Sequence, residues 1–124
     1  MSQDTVADAL NQIMNARRAG KTEVEVERHS KLLLSVLAIA KLKGYVKNYK
    51  IKDTSLKIEI GNIHGCKAVK PRFTVKTESI EKYVKRYLPS KYIGIIIIST
   101  SQGLMTHQTA LDKNLGGSLI AYLY

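Results

Sequence analysis

Four consecutive isoleucines, Ile95–Ile98, constrain the fold of this chain more than any other stretch. β-Branched side chains are stiff at χ1 and suit a pleated sheet. A run without alternation, far too short to span a membrane, predicts a strand buried on both faces or on the central line of a sheet. The run follows Gly94 and leads into Ser99-Thr100-Ser101-Gln102-Gly103. A buried rod therefore ends in three hydroxyls and an amide, and Gly103 lets the backbone turn or approach a partner closely. Small uncharged groups on a stiff tip can enter a narrow groove. They can read shape, sugar hydroxyls and base edges, which is the chemistry RNA recognition requires.

Charge supports the same partner class. The 124 residues carry a formal net charge of +10, which predicts an acidic partner. That charge is segregated: residues 1–30 are net −1, residues 31–57 net +6, and residues 70–91 net +5. Residues 92–124 hold only Asp112 and Lys113 as charges and are neutral. A lysine-rich helix is also an ordinary solvated face, but two blocks of this excess favour phosphate binding. The blocks would hold phosphates while the uncharged tip reads something finer.

Length allows one ordinary domain or two small ones sharing an interface. Cys66 is the single cysteine, so no intramolecular disulfide and no cysteine-based zinc site is expected, and residence inside the cell is. Neighbouring Lys67 could lower the Cys66 thiol pKa, but no nucleophile signature surrounds it. The N-terminus lacks an apolar leader and carries Asp4 and Asp8, and no membrane association is expected.

Periodicity predicts an α+β chain of two small α/β modules, residues 1–64 and 65–124. In the first, Asp4 caps a helix with Val6, Leu10, Ile13 and Met14 on one face, ending at Gly20. Glu23–Glu27 alternates strictly and reads as a strand with one wet face. Ser30 caps a second helix with Leu33, Val36, Leu37 and Ala40 as its stripe, stopped at Gly44. Tyr45–Ile51 and Leu56–Ile60 read as strands turning at Asp53-Thr54, giving helix–strand–helix–strand–strand.

After a break at Gly61–Gly65, the second module reads as a mostly antiparallel sheet with short helices. Strands are expected around Cys66–Val69 and Phe73–Lys76, punctuated by Pro71, with a helix over 79–87 ended by Pro89. The isoleucine strand and its hydroxyl loop follow. A short helix is then capped by Thr106 or Thr109 and ends at Asn114. Gly116-Gly117 leads into a last strand, Ser118–Tyr124.

Gly94, Ile97-Ile98, Ser99-Thr100, Gly103, Leu104-Met105 and Ala110 stand at the spacing of a known signature. In them the chain resembles the small-subunit ribosomal protein family S-eight, and the resemblance covers nearly its whole length. Asp4, Ala7-Asp8, Leu10, Ile13 and Asn15 look like the family's opening. Ser30-Lys31-Leu32, Gly44-Tyr45 and Leu115-Gly116-Gly117 also match. Ala68-Val69-Lys70-Pro71-Arg72-Phe73 and Lys85-Arg86-Tyr87-Leu88-Pro89 look like the archaeal and eukaryotic branch.

The resemblance implies a structural RNA-binding protein of the ribosome, in the cytoplasm, with neighbouring small-subunit proteins as partners. It implies two α/β modules that bind a helical element in the central domain of small-subunit RNA early in assembly. The Ser-Thr-x-x-Gly loop would contact a widened minor groove through Ser99, Thr100, Ser101, Gln102 and Gly103. Bacterial relatives usually carry Lys where this chain has Gln102. Tyr87, Arg86, Lys85, Lys70, Arg72, Lys31, Gly116 and Gly117 complete the candidate RNA-binding set. No cofactor, metal or small-molecule substrate is implied.

The enzyme alternative makes Ser99 or Ser101 a nucleophile and His107 its base. The flanking residues are not those of a nucleophile elbow, and Asp112 is the sole carboxylate of the last third. His107, beside Thr106, reads as a surface or capping residue. His29, His64 and His107 lack zinc-ligand spacing. A generic basic domain for DNA or membrane surfaces would explain the lysines but leave the hydroxyl tip without a job. Tyr83, Tyr87 and Tyr92 lie among basic residues and could stack on or hydrogen-bond to RNA, or pack the sheet, with RNA favoured for Tyr87. Tyr122 and Tyr124 are expected to pack or face neighbouring proteins.

Overall fold

A computed structural model describes residues 5–70, 72–90 and 92–124. The Asp4 cap and Pro71 lie outside the described residues. Internal contacts divide the chain into two compact units, Met1–Cys66 and Lys67–Tyr124.

The first unit sets two helices on one face of a three-stranded sheet. Helix α1 (Thr5–Arg18) buries Val6, Ala9, Leu10 and Ile13, and Gly20 follows at φ +76°. Strand β1 (Glu23–Val26) keeps Glu23 and Glu25 exposed while Val26 is buried. Helix α2 (Lys31–Leu42) begins as the sequence predicts: the Leu33 N–H donates to Ser30 Oγ at 3.2 Å. That bond satisfies one orphan amide of the first turn, a cap worth about 1 kcal/mol. The stripe Leu33, Val36, Leu37 and Ala40 is fully buried, and Gly44 takes φ +86° just past the end.

Strands β2 (Val46–Lys52) and β3 (Ser55–Ile60) form an antiparallel hairpin with Asp53-Thr54 at its turn. The order β1-β3-β2 makes β3 central and leaves β1 and β2 as edges. Leu56 and Ile58 of β3 are inaccessible, whereas Lys57 on the opposite face bonds Glu23 at 3.1 Å.

The second unit is organised around the isoleucines. Strand β6 (Ile95–Thr100) lies between β7 (Gly103–Thr106) and β8 (Gly117–Leu123), antiparallel to both. Strand β4 (Cys66–Ala68) flanks β8 on its other side, and the two-residue β5 (Thr74–Val75) also pairs with β8. All four isoleucines are buried, with exposures of 3 % or less, so both faces of β6 are covered. Ile96 and Ile98 pack in a core with Val75, Ile80, Val84, Met105 and Leu119. Ile80 and Val84 come from helix α3 (Ile80–Tyr87), which follows one 3₁₀ turn at Thr77–Ser79. Leu88 closes α3 in an extended conformation, as expected before Pro89.

Three expectations need correction. Gly103, expected in the loop, and Leu104-Met105, given no element by the sequence, belong with Thr106 to strand β7 (Gly103–Thr106), held by its pairing with β6. The strand expected over Phe73–Lys76 shortens to Thr74–Val75. His107, expected as a surface or capping residue, is 3 % exposed, and its Nδ1 accepts the Ile96 N–H at 3.1 Å. It opens helix α4 (His107–Asp112), whose cap is Thr106 rather than Thr109: the Thr109 N–H donates to Thr106 Oγ1 at 3.3 Å.

Candidate functional site

The hydroxyl tip is the turn of the β6–β7 hairpin. Register runs Ile97–Thr106, Ile98–Met105, Ser99–Leu104 and Thr100–Gly103, which leaves Ser101 and Gln102 as a two-residue turn. The positive φ of the turn falls on Gly103, at +108°, and not on Ser101 or Gln102. A Cβ at Gly103 would meet no atom within 4 Å, so this glycine is required by backbone angle and not by space.

Thr100 is the internal brace. Its hydroxyl donates to the Gly103 carbonyl at 2.9 Å and accepts the Gln102 N–H at 3.1 Å. Both capacities are used inside the turn, so Thr100 shapes the tip and has little left for a ligand. Ser101 and Gln102 are exposed and Ser99 is half-buried. No hydrogen bond of the Ser99 or Ser101 hydroxyl is found among the described residues.

Gly117 places a neighbouring strand against this tip. A Cβ there would run into the Ser99 carbonyl, and one at Gly116 would sit 2.5 Å from the Val75 carbonyl. The Gly116-Gly117 pair therefore permits a backbone approach that no side chain allows. Ser118 stands opposite both Ser99 and Thr74, and its Oγ lies 3.4 Å from Thr74 Oγ1. Thr74, Ser118 and Ser99 thus form one row of hydroxyls across three strands, continuous with the tip. Sequence reasoning missed Thr74 and Ser118. The alternation after Gly117 was the available signal, but the β5–β8 register supplies their alignment and was not readable.

Beside the row runs a groove of 780 Å³ between Thr74–Glu78, Glu81, Leu111, Asn114 and Gly116–Gly117. Glu78 and Glu81 line it against the single cation Lys76, a net negative lining that disfavours phosphate there. The candidate cations read from the sequence lie elsewhere. Lys85 and Arg86 are exposed on α3, and Lys70 and Arg72 are exposed between β4 and β5. Lys31 is exposed at the first position of α2, in the other unit.

The tyrosines form a ladder. Phe73, Tyr83, Tyr87, Tyr122 and Tyr124 follow one another at centroid distances of 5.1, 6.2, 4.9 and 6.4 Å. It fastens α3 to β8 and to the segment before β5. The Arg86 guanidinium sits 5.6 Å from the Tyr87 centroid, and Lys82 Nζ 5.9 Å from that of Tyr83. Tyr87, stacked on Tyr83 and Tyr122, offers a ligand its edge and hydroxyl more than a free ring face. Tyr92 is not in the ladder and is 84 % exposed.

Two alternative chemistries lose their geometry. His107 spends Nδ1 on the Ile96 amide inside the core, away from the role of base for a tip serine. Cys66 donates to the Leu10 carbonyl at 3.6 Å, and burial pushes its thiol up to about 12 despite the opposing Arg18 charge. Lys67 does not lower it as the sequence suggested. Among the described residues no group of three His, Cys, Asp or Glu could hold a metal ion, and no helix is long and apolar enough to cross a membrane.

Comparison with known proteins bears on the whole chain. A family model described as Ribosomal protein S8 matches residues 4–124. The small ribosomal subunit protein uS8 of Nanoarchaeum equitans (strain Kin4-M) is 41% identical over 129 residues, covering 100% of both chains.

Proposed function

The chain belongs to the ribosomal protein S8 family, and from that premise we propose that it is a non-enzymatic structural constituent of the small ribosomal subunit. It binds a helical element in the central domain of the subunit's RNA and supports assembly, acting in the cytoplasm beside neighbouring ribosomal proteins. The observation that carries this reading is the β6–β7 hairpin. A strand buried on both faces ends in a braced, uncharged turn with the Ser99 and Ser101 hydroxyls and the Gln102 side-chain carboxamide uncommitted.

Each part has a physical role. The isoleucines hold the hairpin rigid, so little ordering entropy is lost on binding. Ser99, Ser101 and Gln102 supply donors and acceptors for base edges and 2′-hydroxyls in a shallow minor groove. Thr74 and Ser118 extend that row, while Thr100, Gly103, Gly116 and Gly117 fix backbone geometry. Lys70, Arg72, Lys85 and Arg86 meet phosphates, with the Tyr87 hydroxyl beside them, and Lys31 does so from the first unit. Gln102 keeps an amide able to donate and accept where bacterial relatives usually place a charge.

A gel-shift titration of central-domain RNA fragments, competed with duplex DNA, tests the reading. We expect one fragment to be retained against excess DNA. Equal affinity for DNA would reduce the protein to a generic basic nucleic-acid-binding domain.

A further inference from the structure

The first unit carries a charged surface that the hairpin does not explain. In its sheet, β1 and β2 are both edges. An edge strand is commonly blunted with charge to stop further pairing, and either sign serves. Here the signs differ. β1 exposes Glu23 and Glu25, whereas β2 exposes Lys47, Lys50 and Lys52. Lys50 and Lys52 share one face, opposite Lys57 and Ser55. Lys47 sits at a register break between Val46 and Asn48, the kind of irregularity that re-aims a side chain.

At the near end, Lys41 donates to Asn48 Oδ1 at 3.3 Å and Lys43 caps α2. Those two also complement the helix dipole, so the weight rests on the three β2 lysines. In the same sheet, Lys57 is paired with Glu23. Among the described residues none of Lys47, Lys50 and Lys52 has a carboxylate partner.

We infer that the β2 edge is a second RNA-binding surface, recognising phosphates along a strand and independent of sequence. It rests on the RNA reading above but uses no residue of the hairpin. The glutamates of β1 restrict the polyanion to a path along β2 and keep it from crossing the sheet. The chain would then hold RNA by two unlike grips: a shape-reading tip in one unit and an electrostatic rail in the other.

The test is a Lys47→Gln/Lys50→Gln/Lys52→Gln variant, with Lys57→Gln as the ion-paired control. Affinity for a central-domain RNA transcript is measured against salt, with an unrelated RNA duplex as competitor. About three lost phosphate contacts should flatten the log–log salt slope by roughly 2 to 3 units. The preference for transcript over duplex should stay within about twofold, and the control should change the slope by well under one unit. Unchanged slope and affinity in the folded triple variant would overturn the inference. If wild type shows no preference for the transcript but the slope still flattens, the hairpin reading falls and the rail stands. Photo-cross-linking from position 50 in assembled subunits gives a second readout. Cross-links to RNA support the rail, and cross-links to protein alone overturn it.

Discussion

The hairpins β2–β3 and β6–β7 both close with two-residue turns, and they differ in what stands behind the turn. Behind Ser101-Gln102 is a strand with both faces covered and neighbours on both edges. Behind Asp53-Thr54 are Lys52, Ile51 and Lys50, all exposed, on an edge strand. The left-handed step falls on Gly103 in one hairpin and on Asp53, at φ +52°, in the other. Turn geometry alone therefore does not separate the proposed reading site from a charged edge. Burial of the supporting strand does: it fixes small groups well enough for short, directional hydrogen bonds. An exposed edge carrying long lysines suits attraction that tolerates misplacement.

The widest separation between the hairpins should appear in stability. Ile98→Ala should cost about 2–5 kcal/mol, because it leaves a cavity in a fully enclosed core. Ile51→Ala, at a site 52 % exposed, should stay within about 0.5 kcal/mol. Denaturant midpoints at constant m-value decide the matter. Similar losses at both sites would erase the distinction.

Binding should divide the tip itself. Ser99→Ala and Ser101→Ala should each weaken RNA binding by about 1–3 kcal/mol without changing the salt slope, since an RNA partner is left unsatisfied and no charge is lost. Gly103→Val should lose a comparable amount, about 1–3 kcal/mol, through backbone strain at φ +108°. Thr100→Ala should act differently, lowering hairpin order, seen as faster amide exchange at Gln102, together with binding. Full affinity in the folded serine variants would remove the tip from the site.

Charge effects should be smaller for each residue. Lys85→Ala, Arg86→Ala or Lys70→Ala should each flatten the log–log salt slope by about one unit. A variant that loses affinity at constant slope would mean that its charge acted only through folding.

A last contrast, confined to alkaline solution, is in pH. Burial raises the Cys66 pKa from 9.0 to about 12, so the folded state retains a proton that the unfolded chain releases first. Its contribution is complete below pH 9 and is lost as pH rises toward 12, by at most about 1.4 kcal/mol per pH unit. Alkaline denaturation of Cys66→Ala should be shallower than that of wild type by that increment.

What the sequence disclosed follows the same division. The α2 stripe, its Ser30 cap and the isoleucine strand were legible because each signal is local and strong. Strand β7 was not, since Gly-Leu-Met-Thr has neither alternation nor β-branched density and becomes a strand only against β6. His107 was misread because its role depends on an amide eleven positions earlier in the chain. The hydroxyl run of the proposed site was visible as a pattern, but Thr100 could be told from Ser99 only once its hydroxyl was seen to be occupied. Thr74 and Ser118 needed the register of three strands. The aromatic ladder draws on three separate segments, which no single window contains.

That ladder gives the molecule an optical signature. The chain has no tryptophan, and four of its seven tyrosines are stacked between α3 and β8. Near-parallel rings 5–6 Å apart, as in Tyr83–Tyr87 and Tyr87–Tyr122, couple their transitions. Ellipticity near the tyrosine absorption band should then report the docking of α3, without the indole background that masks it in most proteins. Loss of that band with far-ultraviolet ellipticity retained would mark a state in which the second unit keeps its strands and helices but has lost their packing.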